Sequence, residues 1–363
     1  MAAFIKTIIF SAFTAAAAAA TAVKNEAPSL PMLSKQAGYY TVRVGVGTPP
    51  QYLNLALDTG TAKFFVLDGI LTAQVSKEIN TFKPLRSSSF KLDSENKGTF
   101  LETYRHIHLT AQRATETVTI NGFEVKKQKI ELVTAFRNIN ASDFPKIDGV
   151  LGIGFQLGRT PFKYFDFTSP LHDYVKTFSY PVFTVYNNPV VNSSTQLAGK
   201  ITFGDKDEEN CDGMWFRPQI SYQPQPLWTF RVNGYMLGGV GFHYKSTITL
   251  DSGDKDNFFP AEVVQHLSER WKLENGTDDR SFYIACDKIP QLSTFSIIIK
   301  YGDEIMDYDA KRLFEDAGNN RCRLNVLQTD GLWQISQNLH TDYCQYYYVT
   351  GKAVQFAAAK IQP

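Results

Sequence analysis

Residues 55–60 read Leu-Ala-Leu-Asp-Thr-Gly and residues 248–253 read Ile-Thr-Leu-Asp-Ser-Gly. Each is an apolar run ending in an aspartate, followed by a hydroxyl residue and a glycine. A second signal recurs with them. Asp148-Gly-Val-Leu-Gly-Ile-Gly-Phe155 places Gly152 94 positions after Asp58 (152 − 58), and Trp333-Gln-Ile-Ser336 places Ser336 85 positions after Asp251 (336 − 251). Two signals repeated in one order at similar spacing describe a chain built from two related halves, with the boundary between 190 and 225.

The remainder of the chain reads as strands. Short apolar runs of alternating character occupy 39–46, 52–57, 64–67, 116–120, 129–133, 183–186, 200–203, 247–250 and 295–300. Turn clusters such as Asn121-Gly122-Phe123 separate them, the pattern of a mostly-β protein. One helix is expected after Pro260, where Val263, Val264, Leu267 and Trp271 share a face.

Two aspartates on equivalent turns of related halves can face each other. Adjacent carboxylates cannot both ionise, so they share a proton and one is held neutral at acid pH. Such a pair offers a general base and a general acid together, with no need of a metal or other cofactor. The glycine after each aspartate permits a tight turn, and the intervening hydroxyl is expected to bond locally to hold the carboxylate.

The ends and cysteines bear on where the chain works. Residues 1–22, with Lys6 before an apolar stretch closing on Ala20-Thr21-Ala22, read as a secretory signal peptide. Residues 23–38 then form a short pro-segment or N-terminal extension. In the oxidising secretory route, Cys211, Cys286, Cys322 and Cys344 are expected as disulfides, with three connectivities open. They form no CxxC pair, and no histidine stands at zinc-finger spacing. Sequons begin at Asn140, Asn192 and Asn275. A net charge of +1 gives no footprint for nucleic acid or an anionic membrane surface.

The sequence resembles the pepsin-like aspartic protease family. The resemblance runs from Tyr39 to Gln362 through Gly47-Thr-Pro-Pro-Gln51, Asp58-Thr-Gly-Thr61, Asp148–Phe155, Trp228-Thr-Phe230 and Asp251-Ser-Gly253. It implies a bilobed β fold of two pseudo-symmetric, barrel-like lobes, 39–200 and 201–363, with a substrate cleft between them and a few short helices. It further implies an endopeptidase that hydrolyses polypeptides at acid pH with Asp58 and Asp251 as the catalytic pair. Such a protein is expected to be a secreted or lysosomal monomer without a membrane anchor. By the same resemblance Tyr104 is the tyrosine of a substrate-covering flap, and Gly60, Thr61, Gly253 and Asp254 line the cleft, Thr61 as a hydroxyl supporting Asp58. Cys286–Cys322 is the implied second-lobe disulfide, leaving Cys211 to Cys344.

Several positions depart from the family pattern. Arg105-His-Ile-His108 stands where the flap is Gly-rich, and Phe65 stands for a tryptophan whose N–H meets the flap tyrosine. Asp254 replaces a hydroxyl beside the pair and is expected to be protonated, to raise the pair's pKa, or to be neutralised by Lys255. Ser336 replaces a glycine, which reads first as a change of packing. An alternative function follows from Arg105, Asp254 and the short 23–38 stretch: a proteolytically silent relative that binds peptide or protein in its cleft.

Overall fold

The computed structural model describes residues 27–35, 39–94, 98–155, 168–188, 197–219, 227–277, 280–300, 304–331 and 333–360. The signal peptide expected over 1–22 and the sequon at Asn192 lie outside the described residues. Asn140 and Asn275 are exposed.

The described chain is mostly β, as the alternation implies. A 13-stranded sheet runs from the C-terminal strands Ala353–Ala358 and Tyr343–Tyr348 through Val182–Asn187, Leu197–Phe203, Ser29–Lys35, Tyr39–Val46 and Gln51–Asp58. It continues through Gly149–Gly152, Phe64–Leu67, Phe123–Phe136 and Ile107–Ile120. A seven-stranded sheet carries Val240–Asp251 at its centre, and a four-stranded sheet flanks it. Two strands from the second half thus complete the sheet that holds the first aspartate.

The inferred repeat is present as a repeated register. Gln51–Asp58 pairs in parallel with Gly149–Gly152, setting Asp58 opposite Gly152. Val240–Asp251 pairs in parallel with Trp333–Ser336, setting Asp251 opposite Ser336. In each half the next strand, Phe64–Leu67 or Asn257–Pro260, lies antiparallel to that partner and parallel to one more. Buried apolar side chains such as Leu55, Leu57, Ile248 and Leu250 drive each ladder into the core.

Three boundaries differ from the sequence reading. Ser29–Lys35, assigned there to a pro-segment or extension, pairs with Leu197–Phe203 on one edge and Tyr39–Val46 on the other. The lobe boundary drawn at 200/201 falls inside Leu197–Phe203. The runs at 116–120 and 129–133 are pieces of two 14-residue strands joined by Asn121-Gly122, both at positive φ. Bulges at Thr110/Ala111 and Glu116/Val118 break their alternation. The expected helix is Ala261–Trp271, with Val263, Val264, Leu267 and Trp271 buried.

Disulfides join Cys286 to Cys322 and Cys211 to Cys344, the pairing the resemblance implies. The second holds the start of the C-terminal half against its last strands. No helix among the described residues is long and apolar enough to cross a membrane.

Candidate active site

Asp58 and Asp251 end their strands on facing turns, and the two turns are tied to each other. Thr59 donates its amide to Ser252 Oγ at 3.1 Å and its hydroxyl to Leu250 O at 2.9 Å. Ser252 returns both, amide to Thr59 Oγ1 at 2.8 Å and hydroxyl to Leu57 O at 2.9 Å. The hydroxyls therefore do not bond locally, as the sequence suggested. Each reaches the opposite half, because the pseudo-symmetry brings the two turns together.

That closeness explains both glycines. A Cβ on Gly60 would stand 2.2 Å from the Asp251 carboxyl carbon, and one on Gly253 would stand 1.9 Å from Asp58 Oδ2. Each glycine lies against the opposite carboxylate while donating its amide to its own: Gly60 N to Asp58 Oδ1 at 2.7 Å, Gly253 N to Asp251 Oδ1 at 3.0 Å.

The electrostatics follow. Burial raises Asp58 above the ordinary aspartate value, while the Arg105 charge, the Tyr104 phenol and the Gly60 amide pull it back. Asp251 is held well above that value, chiefly by burial and then by the charges of Asp58 and Asp254. Two buried carboxyls that each penalise the other's charge retain a proton between them.

Tyr104 ends the strand Thr99–Tyr104, which turns through Arg105-His106 into Ile107–Ile120. This two-residue hairpin tip places Arg105 at φ +55° and covers the pair. The Tyr104 hydroxyl donates to Asp58 Oδ2 at 2.9 Å, with its ring edge-on to Phe65 at 5.2 Å between centroids. The Arg105 guanidinium lies 4.4 Å from the Tyr39 ring centroid and donates to the Tyr39 hydroxyl.

Under the hairpin is a cavity of about 360 Å³ lined by Asp58, Gly60, Thr61, Tyr104, Asp251 and Asp254, and also by Lys63, Thr103, Arg105, Phe258, Thr329 and Gln334. Its wall is largely polar. Thr61, expected to support Asp58, instead accepts the Lys63 amide at 3.1 Å in a local turn. Lys63 is held by Glu102 and Thr103 O.

Asp254 faces the pair, but its opposing charge is not the adjacent Lys255, which is exposed. The cation acting on the same carboxylates is Arg105, 149 residues earlier (254 − 105), whose own charge Asp254 favours. Ser336 proves to be a packing residue. Fully buried, it donates its hydroxyl to one of three acceptors within reach, Asn338 Oδ1 nearest at 2.6 Å with Lys255 O and Asn257 Oδ1 beyond, and its amide to Asn257 Oδ1 at 2.9 Å. Sequence reasoning did not foresee that Arg105 reaches Tyr39. The only hint was a large cation at a turn position that favours glycine.

Among the described residues, one group of potential metal ligands clusters: Cys286, Cys322 and Asp316. Its two sulfurs are already joined to each other.

The model of the family described as eukaryotic aspartyl protease matches residues 39–359. Aspartic protease 17 of Caenorhabditis elegans is 22% identical over 333 residues, spanning 86% of this chain and 81% of its own length. Gastricsin of Macaca fuscata fuscata is 23% identical over 340 residues, spanning 91% and 86%. Rhizopuspepsin-1 of Rhizopus niveus is 25% identical over 289 residues, spanning 78% and 69%. With the family model covering most of its length, and two aspartates on repeated, interlocked turns, the chain belongs to the eukaryotic aspartyl protease family.

Proposed function

We propose that the protein is an aspartic endopeptidase working at acid pH, with Asp58 and Asp251 as its catalytic dyad. The observation that carries this reading is the reciprocal site: two strand-end aspartates, each against the other's glycine, under one hairpin. The ionised carboxylate takes a proton from a water molecule, whose oxygen attacks the peptide carbonyl carbon. The neutral carboxyl gives its proton to the carbonyl oxygen, forming a gem-diol. The carboxyl that took the water proton then gives it to the nitrogen, the C–N bond breaks and the amine leaves. A gem-diol hydroxyl returns its proton to the other carboxylate, so that a carboxylic acid remains and the pair regains its starting protonation. The hairpin excludes water while the substrate is held.

The substrate is an extended polypeptide entering between the halves, in a secreted or lysosomal compartment. Asp254 beside the pair supports a second reading, a silent relative that only binds peptides there. The test is incubation of the purified protein with an unfolded protein substrate from pH 2.5 to 6.5. Parallel samples contain pepstatin or carry Asp58→Asn. Cleavage abolished by both is the expected result. A folded sample that cleaves nothing at any pH overturns the endopeptidase reading in favour of the binding one.

A further inference from the structure

The first half carries a second concavity outside the cleft. It encloses about 570 Å³, and Ile70, Pro84, Leu85, Phe90, Leu92 and Leu132 make its wall largely apolar. None of these residues lines the cavity beneath the hairpin. A concavity of this size with a mostly apolar wall suits one small molecule.

Leu132 is the floor. It stands opposite Gln112 in the pairing of Ile107–Ile120 with Phe123–Phe136, and it is 2% exposed. The rim is built from two short 3-10 turns, Gly69–Leu71 and Pro84–Arg86, and from the two-residue strand Lys91–Leu92. These pieces leave apolar side chains uncovered: Ile70 is 62% exposed, Leu92 48%, and Leu85 fully. A lone exposed leucine is ordinary, but three such side chains around one concavity form a contiguous apolar surface.

The rim is held by hydrogen bonds to its main chain. The Gln51 side chain accepts the Lys83 amide at 2.9 Å and donates to the Lys83 carbonyl at 3.0 Å. Gly69 donates its amide to Phe82 O at 2.7 Å, which ties the two turns together. A ligand therefore meets a rim already formed, and little ordering opposes its binding.

Two exposed cations, Lys83 and Arg86, stand on this rim. Among the described residues neither side chain has an ion pair or hydrogen bond. A Cβ on Gly69 would meet Lys83 Cγ at 3.3 Å, so the lysine stem lies along the wall and its ammonium reaches the mouth. The anion in the wall, Asp68, is already engaged, accepting the Ile70 amide at 3.0 Å, and burial raises it above the ordinary aspartate value. Gln112 adds a neutral amide. An apolar floor with two free cations at its mouth is complementary to a hydrocarbon that ends in an anion. A neutral lipid would leave the cations unused, and a cationic amphiphile would be repelled.

We propose that this concavity binds a single-chain fatty acid, its hydrocarbon lying along Ile70, Phe90, Leu92 and Leu132 and its carboxylate meeting Lys83 and Arg86 at the mouth. The planar guanidinium of Arg86 matches a carboxylate in shape, and Lys83 adds a point charge. The site shares no residue with the aspartate pair, so it stands or falls apart from the endopeptidase reading.

The test titrates the purified protein at pH 6.5, where a carboxylic acid is ionised. The probes are dodecanoate, dodecanol and dodecyltrimethylammonium, each below its micelle concentration. Calorimetry gives affinity and stoichiometry, and methyl spectra of Ile- and Leu-labelled protein locate the ligand. Dodecanoate should bind one to one and shift the methyls of Ile70, Leu85, Leu92 and Leu132. Dodecanol should bind about tenfold more weakly, the size of one or two charge-assisted bonds at an exposed rim, and the ammonium more weakly still. The double variant Lys83→Glu, Arg86→Glu should lose the preference for dodecanoate over dodecanol. Leu85→Asp should weaken dodecanoate by about tenfold through repulsion of its head and loss of apolar wall. All three positions are exposed, so the melting temperatures should match wild type.

No binding of dodecanoate overturns the inference, as does equal binding of all three amphiphiles or shifts confined to other methyls. A preference for dodecanoate that survives Lys83→Glu, Arg86→Glu overturns it as well. Self-association that Leu85→Asp abolishes, without dodecanoate binding, would give the face to a second copy of the chain. An acidic, apolar peptide that shifts these methyls where dodecanoate does not would give it to a protein partner. Either result sinks the fatty-acid site.

Discussion

Thr59 and Ser252, 193 residues apart, exchange backbone-to-hydroxyl hydrogen bonds across the join between the two halves. Each hydroxyl also caps the last carbonyl before the other's aspartate, Leu250 O for Thr59 and Leu57 O for Ser252. The aspartates are therefore placed by a lock between the halves as much as by their own strands.

Thr59→Val keeps the shape of the side chain and removes its hydroxyl. It leaves the Ser252 amide and the Leu250 carbonyl without partners, at about 1–3 kcal/mol for each buried group. Ser252→Ala should cost a similar amount. The double variant should cost less than the sum, because the same lock is broken once. Denaturant unfolding of the three variants measures this. Fully additive losses would mean that the two hydroxyls act independently.

Gly60→Ala and Gly253→Ala should both abolish peptide hydrolysis. Each added Cβ lands at about 2 Å from the opposite carboxylate, and neither turn can retreat without breaking the lock. Circular dichroism of the same samples should still report β structure, since the core strands are untouched. Residual activity within tenfold of wild type would show that the turns give more readily than this geometry allows.

The pair and its pseudo-symmetry are legible in the sequence because both are written locally, as strand, aspartate, hydroxyl, glycine. The parallel partners at Gly152 and Ser336 are legible for the same reason. What the sequence does not disclose is tertiary. Thr59 bonding Ser252, Tyr104 turning to Asp58, and Arg105 stacking on Tyr39 join residues 46 to 193 positions apart, with no periodicity to announce them. Ser29–Lys35 hides for a related reason. Its alternation is short, and its place in the sheet depends on Leu197–Phe203, far along the chain.

Three buried groups confine the stability of the fold to mildly acid pH. His172, packed against Phe155 and Trp228, is pushed down to about 3, and His340 down to about 4, mainly by burial. Both stay neutral when folded but charge when unfolded, so stability falls as pH drops from the ordinary histidine value through the folded one. Glu131 is raised to about 8 by burial, then by Glu102. Its contribution is complete below the ordinary glutamate value and is lost as pH rises through about 8. Between about pH 4.5 and 6.5 the two histidines outweigh the one glutamate, so stability keeps rising. Its maximum should lie near the ordinary histidine value, about pH 6.5, falling above it as Glu131 ionises. His172→Phe should flatten the acid side of a melting-temperature profile, and Glu131→Gln the alkaline side. A wild-type profile still rising at pH 3 would contradict this.

The two disulfides should differ in value. Cys211–Cys344 spans a sequence separation of 133 and Cys286–Cys322 one of 36. Loop-closure entropy assigns them roughly 5 and roughly 4 kcal/mol. Replacing the first pair by serine should lower the denaturation midpoint further, and should also loosen Tyr343–Tyr348 from the large sheet. Hydrogen exchange over that strand reads the effect directly, and unchanged protection there would remove the role given to the bridge.

Asp254 and Arg105 act on the same two carboxyls with opposite sign. The Asp254 charge raises both Asp58 and Asp251, whereas Arg105 lowers both. Asp254→Asn removes the raising charge, so both ionisations should move to lower pH and carry the whole activity profile with them. With charge effects at partly buried sites worth about 1 kcal/mol, the shift should be about half to one pH unit. Arg105→Gln should move the profile the other way. Because each change removes half of an opposed pair, the double variant should return near the wild-type position while losing the hold on Tyr39. The measurement is kcat/KM against pH for the two single variants and the double. An Asp254→Asn profile displaced upward, or unmoved, would mean that this carboxylate does not act on the pair as its position in the cavity wall implies.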